Sequence, residues 1–234
     1  MRFKIVSITV LAFAVTVLLA GTSFAGITTY SGFDLGAGNT PLTNSDAAAA
    51  AFDAATGYLP IWTFESAPLG PFSSLTQGTA TLTGSDLGGG FQTIINPPLC
   101  SPALCGFNTT AGGSQWVNLE GGTITFTFSA PIHAFGGYFT GLQVTGDSLS
   151  WFDGANQSIA IPVDFNNGGA AFVGFTDTAG FTSVTVSAVG TNYQDIMGVD
   201  DVRFGAAVPE PGSLALLGTG VVGALGVLRR RFLS

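Results

Sequence analysis

The sequence predicts a mainly β protein, an antiparallel sandwich with one short helix near its start and an apolar segment at either end. Three observations carry this. Short stretches of alternating polar and apolar residues recur through the middle of the chain, and Gly-, Asn- and Asp-rich turns separate them. No strand–helix–strand alternation runs between them, which excludes a parallel sheet. The 20 phenylalanines are a plausible filling for two packed sheets.

Taken in order, the chain opens with an export signal. "MRFK" supplies positive charge, Ile5 to Ala20 is apolar, and "TSFAG" places small residues around a cut after Ala25. At 1.5 Å per residue that apolar run spans roughly 24 Å, short of the ~30 Å hydrocarbon core, so residues 1–25 read as a removed signal peptide. Residues 26–207 then form one domain, long enough for a substantial core.

Within it, "NSDAAAAAFDAATG" reads as a helix that Ser45 or Asp46 caps, alanines carry and Gly57 ends. Everything after reads as strands. "GTITFTFS" sets Ile124, Phe126 and Phe128 on one face and Thr123, Thr125 and Thr127 on the other. "IHAFGGYF", "SLSWF", "QSIAIPV", "AAFVGF" and "FTSVTVSAV" follow, with "DGAN", "FNNGG" and "DTAG" as turns between strands. Many short antiparallel strands of this kind make a jelly-roll-like sandwich.

Charge excludes one class of partner. The formal net charge is -8, and between Ile5 and Leu228 the one basic residue is Arg203. Such a surface repels phosphate backbones, so nucleic acid is not a partner. Catalytic signals are sparse too. His133 is the single histidine and sits in an apolar strand stretch, where packing is the ordinary role. The chain shows no nucleophile elbow and no His/Cys metal cluster, and most acids lie in turns such as "FDG" and "TDT". No enzyme is expected, and a secreted hydrolase ranks last among the readings.

Cys100 and Cys105 in "NPPLCSPALCGFN" lie in a Pro-rich loop of an exported chain, so a disulfide is expected. Two thiols without further ligands would make a weak metal site.

The tail, "VPEPGSLALLGTGVVGALGVLRRRFLS", sets two prolines around Glu210, then an apolar Gly-rich run, then Arg229, Arg230 and Arg231. In a bilayer such a run forms a transmembrane helix, because unpaired backbone is the alternative. The arginines hold the C-terminus on the cytoplasmic side and leave the prolines outside, extended and accessible. "GTGVVG" has dinucleotide-fingerprint spacing but lacks the acidic residue beyond it, so no such cofactor is expected.

Residues 208–231 resemble the PEP-CTERM sorting signal of Gram-negative bacteria. The resemblance implies recognition by exosortase, a membrane peptidase, through Pro209, Glu210 and Pro211, with Arg229, Arg230 and Arg231 as the retention element. It also implies a transient inner-membrane anchor, then delivery to the cell surface or extracellular matrix. The expected role is a structural component of biofilm or exopolysaccharide. The alternative is a carbohydrate-binding module recognising exopolysaccharide, with Tyr30, Tyr58, Trp62, Trp116, Tyr138, Trp151 and Tyr193 as stacking platform rather than core.

The stretches "AAAAAFDAATGYLPIWTFES", "ITFTFSAPIHAFGGYF" and "MGVDDVRFG" resemble ectodomains that precede such tails, similar in outline to galactose-binding-like modules. Jelly-roll modules of this kind often hold a structural Ca²⁺ on an early Glu and a late Asp. The matching positions are Glu65 and Asp200 or Asp201. Adjacent acids on a strand point to opposite faces, so one of the two aspartates at most should face inward. The other reading leaves all three at strand ends, in water or accepting backbone hydrogen bonds. No other cofactor is expected.

Overall fold

The computed structural model describes residues 26–38, 41–85, 92–188, 196–206 and 220. Ala25, Tyr193, Pro209, Glu210, Pro211, Arg229, Arg230 and Arg231 lie outside them. No helix among the described residues is long and apolar enough to cross a membrane.

The elements in chain order are β1 (Ile27–Leu35), α1 (Thr43–Thr56), β2 (Ile61–Trp62), β3 (Gly70–Pro71), β4 (Ser74–Gln77), β5 (Ala80–Ser85) and β6 (Thr93–Ile95). After them come α2 (Pro102–Cys105), β7 (Trp116–Glu120), β8 (Gly122–Thr140), β9 (Ser148–Phe152), β10 (Asn156–Ala160), β11 (Gly169–Ala188) and β12 (Ile196–Gly205). Every pairing is antiparallel.

Two long strands build both layers. The second half of β8 pairs β12 and the first half of β11, whose outer neighbour is β1. Beyond β12 lie β7 and β2, then β6 and β3. The first half of β8 pairs β5 and the second half of β11, and β4, β9 and β10 complete that layer. Strands that switch sheets at a bend are a known way to close a sandwich corner. The bend in β11 falls at the register shifts between Thr176 and Ser183.

This corrects one element of the sequence reading. "GTITFTFS" and "IHAFGGYF" are one strand, and so are "AAFVGF" and "FTSVTVSAV". "DTAG" is a bulged corner within β11 rather than a loop, because the strand re-pairs with β8 on the far side. A further strand, β1, also precedes the helix.

The core lies between the layers, where alternate residues of each strand meet. Phe126 in one layer and Phe135 in the other have ring centroids 5.2 Å apart, and Trp151 stacks on Phe175 at 3.7 Å. Leu82, Ile124, Leu149, Val173, Val186 and Val199 are fully buried in the same cluster. Burying side chains of this size contributes on the order of 2 kcal/mol each.

A second cluster sits on the outer face of the β1–β11–β8–β12 layer, beneath α1. Phe52 of α1 packs against Phe172 and Tyr30, with centroids 5.6 and 5.5 Å away. The close approach requires glycine at two crossing points. A Cβ on Gly32 would collide with the Asn44 carbonyl, and one on Gly174 would meet the Phe52 ring at 2.9 Å.

Gly57, at φ 78°, ends α1 as its sequence position implies. Its start differs from the expectation. Ser45 is buried inside the first turn and makes no cap; the free N–H groups of Asn44 and Ser45 are taken by Asp34 of β1.

Candidate functional site

The expected metal-binding acids come together at one segment, residues 107–115. Glu65 follows β2, and its Oε1 accepts hydrogen bonds from Ser114 N at 2.8 Å, Gln115 N at 2.9 Å and Asn108 Nδ2 at 3.2 Å. Asp200 Oδ2 accepts from Thr109 N at 2.8 Å and Thr110 N at 3.2 Å. Asp201 Oδ1 accepts from the Thr110 hydroxyl at 2.7 Å. The Thr109 hydroxyl lies 3.1 Å from Asp200 Oδ2 and 3.2 Å from Asp201 Oδ2. One hydroxyl carries one proton, so it serves one carboxylate at a time.

Adjacent strand residues should diverge, yet both aspartates reach the same two threonines. The cause is a bulge in β12. Its register against β8 shifts between Asp200 and Arg203, and Asp201 sits in left-handed backbone at φ 47°. The extra residue turns the Asp201 carboxylate back to the side Asp200 occupies. "GVDDV" alone gives no sign of this.

Asp200 is fully buried, and that burial pushes its carboxyl up to about 7; the neighbouring Asp201 charge adds to the effect. The N–H donors of Thr109, Asp201 and Thr110 work in the other direction and do not prevail.

Among the described residues, no three acids, histidines or cysteines gather at metal-binding spacing. Glu65 Oε1 and the carboxylate oxygens of Asp200 and Asp201 already accept N–H or O–H donors, whereas Asn108 Oδ1 and Gln115 Oε1 beside Glu65 are buried without a protein partner. The three acids therefore anchor the 107–115 segment to the sheet, as hydrogen-bond acceptors.

On the same side of the sheet, Arg203 lies buried beneath α1. Its Nε meets Asp53 Oδ1 at 2.9 Å, and its Nη1 donates to the Asp201 carbonyl at 2.7 Å. The guanidinium sits 5.5 Å over the Phe172 ring and 5.6 Å over Tyr138. The Tyr138 hydroxyl donates to Asp46 Oδ1 at 2.7 Å, and burial holds it well above the ordinary phenol range. The sequence marks Arg203 as a lone cation but does not show that it is an internal tie.

Cys100 and Cys105 form a disulfide with Cα atoms 5.4 Å apart, across the short helix α2. His133 Nδ1 is 2.9 Å from the Asp177 carbonyl, at the corner of β11. Trp62, Trp116, Tyr138 and Trp151 are buried and Tyr30 is half-buried, while Tyr58 is 77% exposed. The described members of that aromatic set thus belong mainly to the core and form no stacking platform. Two surface cavities, of about 440 and 470 Å³, have linings without a carboxylate or imidazole.

The chain is thus a β-sandwich with a separate sorting tail. Residues 207–231 match the family model of the PEP-CTERM protein-sorting motif, so the chain carries that signal. No curated protein matches it. Among solved structures, it is similar to the K2 cleaved adhesin domain of Lys-gingipain. That match has a TM-score of 0.39 and 12% identity, and covers 62% of this chain and 96% of that one. It is also similar to the CBM22-1 xylan-binding domain of Xyn10C from Paenibacillus barcinonensis. There the TM-score is 0.35 and the identity 16%, over 64% of this chain and 97% of that one. A third is TmCBM61 in complex with β-1,4-galactotriose, with a TM-score of 0.31 and 12% identity over 61% and 92%.

Proposed function

We propose that this is a structural protein of the bacterial surface or extracellular polymer, exported and then cut by exosortase at its tail. The sorting motif at residues 207–231 carries the reading, because it implies export, a transient membrane anchor and processing. Pro209, Glu210 and Pro211 are the recognition element, Arg229, Arg230 and Arg231 the retention element, and Ala25 the point of signal removal.

The body of the domain supports a structural role over a catalytic one. Asp34, Asp153 and Asp164 accept backbone N–H donors, Asp53 pairs with Arg203, and His133 is engaged by a backbone carbonyl. Groups committed in this way hold the fold and are not poised for proton transfer.

Replacing Pro209, Glu210 and Pro211 together by Ala tests the reading. The protein should then accumulate at full length in the membrane fraction. Surface delivery at the shorter mass would overturn it.

A further inference from the structure

The outer face of the β10–β9–β11–β8–β5–β4 layer is a lattice of hydroxyl groups. Inward positions on these strands, such as Leu82, Phe126, Val184 and Leu149, fill the core, so the alternate positions face out. Cross-strand register aligns Ser74, Thr83, Thr125, Thr185, Ser150 and Ser158 in one unbroken row across the layer. With neighbouring strands ~4.8 Å apart, that row is roughly 24 Å long. Thr76, Thr81, Thr127 and Ser183 run alongside it in a second row.

None of these positions is charged, in a chain where acids outnumber bases 14 to 6. At one end the rows open into the cavity of about 470 Å³, lined by Ser150, Phe152, Asn156, Gln157, Ser158 and Thr185 among others. Phe152 is 61% exposed there. Asn156, directly opposite Phe152 in the β9–β10 register, is exposed beside it and offers an amide donor and acceptor.

We infer that this face binds a neutral polysaccharide laid across the strands, with the Phe152 ring under one sugar at the cavity. A sugar presents hydroxyls that donate and accept, plus a C–H face that packs on an aromatic ring. Serine and threonine hydroxyls do both, and amides add fixed donors and acceptors. An anionic polymer would need cations. Arg203 is the one Lys or Arg among the described residues, and it is buried under α1 on the other layer. A second copy of the chain would gain little apolar contact here, since Phe152 is the one large exposed apolar side chain among these outward positions.

The inference rests on the export reading, which puts the domain where such polymers lie, but its test is independent of processing. The protein is purified from the producing cells in its processed form, or as the detergent-solubilised full chain if processing does not occur. It is then run in gels containing those cells' own extracellular polysaccharide, separated by anion exchange into neutral and anionic fractions.

Retardation by the neutral fraction is expected, and it should persist at about 0.5 M NaCl, where charge attraction is screened. Phe152→Ala and Ser158→Lys, both at exposed positions, should each weaken it at least about tenfold without lowering the melting temperature. No retardation by the neutral fraction, or unchanged affinity in both variants, overturns the inference. So does self-association that Ser158→Lys abolishes without any glycan retardation, which would make this face an interface between copies.

Discussion

Asp34 of β1 holds the start of α1: its Oδ1 accepts the Asn44 N–H at 3.0 Å, and its Oδ2 accepts the Ser45 N–H and hydroxyl at 2.8 and 2.7 Å. A cap ordinarily comes from the residue at the helix end, and here it comes from the neighbouring strand. Asp34→Ala should therefore cost about 1 kcal/mol, the usual value of a lost N-cap, read as a lower denaturation midpoint. Desolvation opposes ionisation of Asp34, but the donors from Asn44 and Ser45 outweigh it and hold its carboxyl below the ordinary 3.8. This contribution is present above pH 3.8 and is lost as pH falls through the depressed folded value.

Asp200 runs the other way. Its folded carboxyl, raised to about 7, binds a proton more tightly than the unfolded one at 3.8. The stabilising protonated form is complete below 3.8, and its contribution is lost as pH rises towards and through about 7. Melting temperature should thus fall between pH 5 and 8, and Asp200→Asn should flatten that slope. An equal slope in the variant would assign the dependence elsewhere.

The Cys100–Cys105 bridge closes a loop between residues 5 apart. The chain-entropy model gives about 2 kcal/mol for a ring of this size. Unreduced mass spectrometry of the exported protein should find no free thiol. Cys100→Ser with Cys105→Ser should lower the unfolding free energy by about that amount.

Calcium at millimolar concentration, followed by chelator, should leave the melting midpoint unchanged, because Glu65, Asp200 and Asp201 already accept protein donors. A rise abolished by Glu65→Gln would instead place a cation beside that side chain. Two buried oxygens there, Asn108 Oδ1 and Gln115 Oε1, have no protein partner. A rise that survives Glu65→Ala with Asp201→Ala would move the cation away from these acids altogether.

The parts of this fold that were legible in the sequence are those set by local periodicity. "GTITFTFS" alternates strictly, so Ile124, Phe126 and Phe128 could be assigned to the core before any coordinates. Gly57 marked the helix end because left-handed backbone there favours glycine. What was hidden depends on pairing partners distant in sequence. "DTAG" has turn composition, and only its pairing to β8 makes it a strand corner. The convergence of Asp200 and Asp201 needs a bulge whose cause is the β8 register. The hydroxyl row is invisible for the same reason, since its members come from six strands whose alignment no single segment encodes.

The position of β12 sets a clock. It is the last strand of the domain, yet it is flanked by β8 on one side and by β7 and β2 on the other. A chain threaded outward from its N-terminus delivers that strand last, so the first layer stays split until Gly205 has emerged. Residues 206–208 alone separate it from Pro209. The strand that completes the first layer and the sorting motif are therefore near neighbours in the chain, so the signal begins almost where the fold ends.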